Sequence, residues 1–204
     1  MSAPGALLQF SLILRPQLGL DRTGLLTTAL GLACAEGIER VSGLTATIKW
    51  PNDVRIGGKK VAGMLVESHV VGSSLEAAVA GIGVNVGWAR AEIPQEIGEH
   101  ATSIAAELGD AGPDRAQLLA EIVSALEPRY RSLPNSGPDL IAEATRRSDV
   151  IGSKVKVRFS DGREVEGLAE GLTVSGALTV VTREGATVVS VAEVEHLRPG
   201  QARR

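Results

Sequence analysis

Lys49-Trp50-Pro51-Asn52-Asp53, then Gly57-Gly58-Lys59-Lys60-Val61-Ala62-Gly63-Met64-Leu65-Val66-Glu67, then Gly81-Ile82-Gly83-Val84-Asn85-Val86: these three islands of polar groups and glycines are separated by apolar residues of strand character. Pleated strands built from them deliver their ends to one cleft. Chemistry is expected there, and the rest of the chain reads as scaffold for it.

Working outward, residues 6–14 read as a strand ended by Arg15-Pro16. Asp21 stands as N-cap of a helix running to about Val41 and ended by Ser42-Gly43, with Leu25, Leu26, Ala29, Leu30, Ala33 and Ile38 on its apolar face. Strands follow at 45–49 and 54–56, with Gly57-Gly58 as a hairpin turn, then at 61–68 and 75–86. Polar alternation is scarce in the last two, which predicts a sheet interior covered on both faces. A short helix at 103–108 precedes a longer one from Asp114, whose box-like start with Gln117 leads into Leu118, Leu119, Ile122, Val123 and Leu126. Residues 134–138 form a loop and 139–147 a further helix, and the first domain ends near Val150.

Beyond that point the period falls to two. Residues 154–159, 163–169, 177–182 and 186–191 read as strands, with turns at Ser160-Asp161-Gly162 and Glu184-Gly185, which predicts a small antiparallel barrel better suited to docking than to catalysis. The fold class is α/β (α+β).

A chain of 204 residues supports a real core, and 44% hydrophobic with 22% charged residues is an ordinary globular composition. A net charge of -3 and 2% aromatics give no basis for a nucleic-acid partner, by phosphate attraction or by base stacking. The run 25–35 is too short to span a bilayer and the start carries no leader pattern, so the expectation is a cytoplasmic protein without a membrane partner. The single Cys34 lies in an apolar helical run and reads as an inert core thiol. His69, His100 and His196 lack ligand spacing, so no protein-bound metal is expected.

Lysine beside glycine in a turn suits anions, because backbone N–H groups approach closely and the ammonium supplies charge. Lys60, opening a strand, is such a lysine. Gly81-Ile82-Gly83 is not a dinucleotide fingerprint, since position 86 is valine and Gly87 falls one residue late. The two glycines instead let a flat ligand lie against the backbone, with Asn85 offering an amide to a heterocycle edge. Asp53 either caps the turn that follows it or orients a ligand and its metal.

Taken jointly and in this order, Lys49-Trp50-Pro51-Asn52-Asp53, Lys60-Val61-Ala62-Gly63-Met64-Leu65-Val66-Glu67 and Gly81-Ile82-Gly83-Val84-Asn85 resemble the biotin protein ligases, also called biotin–[acetyl-CoA-carboxylase] ligases. The resemblance implies a class II aminoacyl-tRNA synthetase-like mixed sheet with flanking helices and a C-terminal SH3-like β-barrel. It divides the chain into a catalytic domain at 1–150, the barrel at 151–198 and a tail at 199–204. It implies biotin and ATP as substrates with Mg2+, formation of biotinyl-5'-AMP, and transfer of biotin to a lysine of the biotin carboxyl-carrier domain of a carboxylase. Residue by residue, Lys60 matches the essential lysine, which contacts carboxyl and phosphate oxygens. Asn52 and Asn85 match adenine-side contacts, and Asp53 matches a residue ordering the nucleotide and metal region. Gly63, Leu65 and Gly81 match the wall along biotin, Lys49 adds positive potential, and Trp50 is left as packing. The expected assembly is a monomer or weak homodimer.

The chain departs from the family where the Ser-Thr-Asn segment and the Gly-Arg-Gly-Arg-x-Gly-Arg-type loop are expected. Its one Gly-Arg pair is Gly162-Arg163, in the predicted barrel. Impaired adenylation by this polypeptide alone is therefore expected, with a non-catalytic carrier-binding module derived from a ligase as the alternative. The lipoyl-transferring ligases share the chemistry, but the barrel together with the Lys-Trp-Pro-Asn-Asp motif favours biotin.

Overall fold

The computed structural model describes residues 5–190 and 193–196. Its first sheet contains β1 (Leu7–Leu14), β2 (Thr47–Lys49), β3 (Asp53–Ile56), β4 (Lys59–Val71) and β5 (Ser74–Asn85), in the order β1-β5-β4-β3-β2. Gly57 and Gly58 join β3 to β4 with φ of +57° and +79°, the two positive values that a tight hairpin of matching twist requires. Every ladder of this sheet is antiparallel, and the parallel pairings among the described residues are isolated bridges, Ile48 to Ser148 and Lys60 to Ala101. The expected mixed sheet is thus an antiparallel one. Hairpins this short reverse the chain, whereas parallel neighbours need a long crossover.

The helices are α1 (Gly24–Ser42), α2 (Ile104–Leu108), α3 (Arg115–Ser132) and α4 (Gly137–Arg147). Asp21 does not cap α1; it lies in a 3-10 turn, Leu20–Arg22, and the helix begins after Thr23 with no side-chain cap. Gly43, at φ +70°, ends the helix as expected. Ser103 Oγ accepts from Ala106 N at 3.0 Å and Asp114 Oδ1 accepts from Gln117 N at 2.9 Å, so α2 and α3 do start on side-chain caps. On α3 the buried stripe is Leu118, Ile122, Ala125 and Leu126, while Val123 turns out to solvent.

One face of the first sheet packs on the helices. The even-numbered residues Ala62 and Met64 of β4 and Ala78, Ala80, Ile82 and Val84 of β5 share a core with Leu25, Leu26, Leu30 and Ile38 of α1 and Leu118 and Ile122 of α3. The opposite face is open, with Leu65 61% exposed, which corrects the expectation that β4 and β5 are covered on both sides. Apolar residues on that face replaced the polar alternation by which a one-sided sheet is recognised.

The second sheet holds β6 (Lys154–Arg158), β7 (Glu164–Leu172), β8 (Leu178–Thr182), β9 (Gly185–Val189) and β10 (Glu193–His196), in the order β10-β6-β7-β8-β9. Val155, Val157, Ala169, Leu178, Val180, Val189 and Val194 form its own core. Among the described residues β9 and β10 stand at opposite edges, so this is an open antiparallel sheet and not a closed barrel. The tail at 199–204 lies outside the described residues.

Candidate functional site

A cross-strand row runs over the whole open face: Lys49 of β2 pairs with Asp53 of β3, Asp53 with Gly63 of β4, Gly63 with Gly83 of β5, and Gly83 with Gln9 of β1. Directly opposed residues project to the same side, so the row presents a cation, a carboxylate and two bare glycines together. A second row, Leu65-Gly81-Ser11, lies beside it.

Lys60 reaches this face through a β-bulge. Counting back by twos from Ala62 and Met64 would point residue 60 into the core. The ladder steps instead from Val54 opposite Ala62 to Arg55 opposite Lys60, which leaves Val61 without a partner. Val61 and Ala62 are both buried in consequence, and Lys60 comes up on the open side, 47% exposed. Its Nζ lies 2.6 Å from Oδ1 of Asp53, itself only 17% exposed. That oxygen is buried and accepts no hydrogen bond of ordinary geometry, so the contact is one of charge rather than of direction. Gly63 leaves the room for it, because a Cβ there would stand 2.9 Å from both Cε and Nζ of Lys60.

The segment before α2 latches the end of the site. Lys60 N donates to His100 O at 2.8 Å, Thr102 N donates to Lys60 O at 2.8 Å, and Lys59 Nζ donates to Gly98 O at 3.0 Å. Asn85 Nδ2 donates to Thr102 O at 2.9 Å, so the buried Thr102 ties the backbone of Lys60 to the side chain of Asn85. Asn52 Nδ2 donates to Met64 O at 2.8 Å while Met64 N donates to Asn52 O at 3.0 Å, extending the β3–β4 ladder by one rung through a side chain. Each of these bonds uses one N–H of the amide and fixes its orientation, leaving the side-chain carbonyl oxygen and the second N–H.

A cavity of about 400 Å³ adjoins the face, lined by Asn52 and Leu65 together with Thr23 and Thr28 of the α1 start and Ser175 and Gly176 of the second sheet. Of the expected residues Asn52 and Leu65 line this cavity, while Lys49, Asp53, Lys60, Gly63, Gly81 and Asn85 do not, so the strand ends are not gathered in one closed cleft. Reading the sequence missed Arg55, which stands opposite Lys60 and pairs with Asp149 at 3.2 Å, and Thr102. Period two from Asp53 was a usable signal for Arg55; Thr102 offered none, since its role is made by backbone groups.

Residues 1–85 match the Biotin/lipoate A/B protein ligase family, and residues 150–197 match the Biotin protein ligase C terminal domain. The Bifunctional ligase/repressor BirA of Bacillus subtilis (strain 168) is 34% identical over 188 residues, covering 91% of this chain and 57% of that protein. The chain thus spans little more than half of that relative. The Biotin--[acetyl-CoA-carboxylase] ligase of Paracoccus denitrificans is 34% identical over 188 residues, 90% of this chain and 78% of that one. Among solved structures, the biotin protein ligase from Aquifex aeolicus in complex with biotin and ATP superposes with a TM-score of 0.80 at 27% identity, over 95% of this chain and 79% of that one. Matched at both ends and over most of a full-length relative, the chain belongs to the biotin protein ligase family.

Proposed function

We propose that the open face of the first sheet is where a biotin carboxylate and the α-phosphate of ATP meet, and that the chain serves a biotin–[biotin carboxyl-carrier protein] ligase. The carboxylate attacks the α-phosphorus, pyrophosphate leaves, and a lysine amine of the carrier domain then attacks the biotinyl-AMP carbonyl and releases AMP. The observation that carries this reading is the bulge that lifts Lys60 onto the face beside Asp53 and Gly63. Charge gathers on phosphoryl and carboxylate oxygens as the anhydride forms, and a pre-placed ammonium stabilises it. Gly63, Leu65 and Gly81 form the wall along biotin, and Asn52 and Asn85 make the adenine-side contacts. Lys49, two strands from Lys60, adds positive potential. Mg2+ would come with the nucleotide and screen its phosphate charge; Oδ1 of Asp53 is already taken by the Lys60 ammonium at 2.6 Å, and no cluster of three or more carboxylate, imidazole or thiol groups able to hold a metal is found among the described residues, so no step is routed through a protein-bound metal.

On this reading residues 1–150 are a class II synthetase-like catalytic domain and 151–198 an SH3-type module. The protein works in the cytoplasm as a monomer or weak homodimer without nucleic acid. Among the described residues no helix is long and apolar enough to cross a membrane.

The test is titration of a hydrolysis-resistant biotinyl-adenylate analogue by calorimetry. Lys60→Ala is expected to weaken binding at least tenfold. Lys59→Ala, whose ammonium is held by Gly98 O, leaves binding within about twofold. Lys60→Ala is also expected to lower biotin-dependent pyrophosphate release by orders of magnitude. Equal affinity and equal release in the Lys60→Ala variant would remove the proposal.

A further inference from the structure

The second sheet was expected to serve docking, yet it holds the turn that carries Asp53. Trp50 is 6% exposed and packs in the core of the second sheet, against Val150 and its neighbours, although it stands three residues before Asp53. Its indole Nε1 donates a buried 2.9 Å hydrogen bond to Gly176 O. The turn that offers this carbonyl is braced from within: Thr173 N donates to Ala177 O at 2.8 Å, Gly176 N to Thr173 O at 2.9 Å, and Ala177 N to Thr173 Oγ1 at 3.1 Å. It also presses on α1, since a Cβ on Gly24 would lie 2.6 Å from Ser175 O. A second tie, Arg55 to Asp149 at 3.2 Å with Asp149 N donating to Ile48 O at 3.1 Å, fixes the chain entering the second sheet.

We propose that Trp50 is a positioning residue: through the Gly176 carbonyl it anchors the Trp50–Asp53 turn on the second sheet and so sets where Asp53 holds the Lys60 ammonium. The chain of contacts is short. Gly176 holds Trp50, Asn52 two residues on is locked to Met64 by two hydrogen bonds, and Asp53 contacts Lys60 at 2.6 Å. Buried hydrogen bonds of this kind are stiff because breaking one leaves a desolvated polar group behind. The second sheet thereby belongs to the frame of the site, whatever else it docks.

The inference rests on the ligand reading proposed above and is tested so that the two fail separately. Trp50→Phe keeps the ring in the second core and removes the N–H. It is expected to weaken the biotinyl-adenylate analogue about tenfold, and the Trp50→Phe/Asp53→Asn double variant is expected to be no more than twofold weaker than Asp53→Asn alone. Additive losses, with the double variant about tenfold weaker than Asp53→Asn alone, would mean that Trp50 acts on stability and not through Asp53, and would overturn the proposal. Gly24→Ala, which pushes the Ser175 carbonyl away with the indole intact, is expected to reproduce the loss; wild-type affinity there would count against it. A second readout needs no ligand: acetylation of Lys60 relative to Lys59, mapped by mass spectrometry, is expected to quicken severalfold in Trp50→Phe. If Lys60→Ala leaves analogue affinity intact, the ligand reading fails while this labelling ratio still decides the positioning claim. An unchanged ratio overturns it.

Discussion

Gly63→Ala places a methyl group 2.9 Å from Cε and Nζ of Lys60 and 3.6 Å from Oδ1 of Asp53. The atoms in the way are the far end of a flexible side chain, so the backbone stays and the lysine swings off. Alanine in a strand gains about 0.5–1 kcal/mol over glycine. Loss of a half-exposed ion pair costs about 0–1 kcal/mol. Stability therefore moves by less than about 1 kcal/mol, or about 4 °C in melting temperature for a chain of this size. Ligand binding responds differently. An ammonium about 4 Å from a phosphate oxygen is attracted by roughly 4 kcal/mol at an effective dielectric near 20, falling to about 2.4 at 7 Å. Solvent access to Lys60, 47% exposed, screens about half of that difference, which leaves roughly 1 kcal/mol, or about fivefold in affinity. Calorimetric titration with the biotinyl-adenylate analogue, beside a thermal melt, separates the two effects. Wild-type affinity in a stably folded Gly63→Ala protein would refute the claim that this glycine exists to seat the Lys60 ammonium.

Gly83→Ala meets no atom within 4 Å, so it is expected to leave the melting temperature unchanged or raised while weakening the analogue; an unaltered titration would mean that no ligand lies against β5. Glu36 on α1 titrates below its usual value near 4.5: burial pushes it up, but the hydrogen bond and charge of Arg129, with Arg40 and Arg147 beyond, outweigh that. Its folded-state depression means that its contribution is present above the unfolded value and is lost as pH falls through the lower folded one. Urea midpoints from pH 7 to pH 3 should therefore fall more steeply for the wild type than for Glu36→Gln, and parallel curves would contradict the pairing. Burial pushes the Cys34 thiol up to about 12, so an aromatic disulfide reagent at pH 8 is expected to label it only as fast as the protein opens; rapid stoichiometric labelling in the native state would place the thiol elsewhere.

Hairpins and caps were readable because they are local. Gly57-Gly58, Gly43, Ser103 and Asp114 each do within four residues what their chemistry suggests. Asp21 was misread for the same reason, since a 3-10 turn and a helix start share acidic residues and differ only in which carbonyl is reached. The open face was hidden by Leu65 and Val79, apolar residues that stay exposed. The strand β10 escaped because Val194 stands between two glutamates in a four-residue stretch. Trp50 read correctly as packing, but nothing within the motif says that it packs on a sheet more than a hundred residues downstream. The bulge was the least accessible feature. It belongs to the pairing of β3 with β4, not to either strand, and strict alternation would have turned Lys60 inward.

The glycines separate what the fold needs from what it does not. Gly24 and Gly37 are required by packing, for a Cβ would stand 2.6 Å from Ser175 O at the first and from Ile122 Cγ1 at the second. Gly63 is required by Lys60. Gly83 faces empty space, and the nearest neighbour of a Cβ on Gly81 is 3.8 Å away, yet both have φ values open to any residue and both sit in the middle of a strand. There each costs about 0.5–1 kcal/mol relative to alanine and gains nothing in packing. The ligand proposed above, lying flat against β5 between Leu65 and the Lys60 ammonium, would account for both absences at once, because it would need contact with the backbone where a methyl group would stand. The helix-side core accounts for Ala78, Ala80, Ile82 and Val84; for Gly81 and Gly83 the proposed ligand is what would account for the missing side chains.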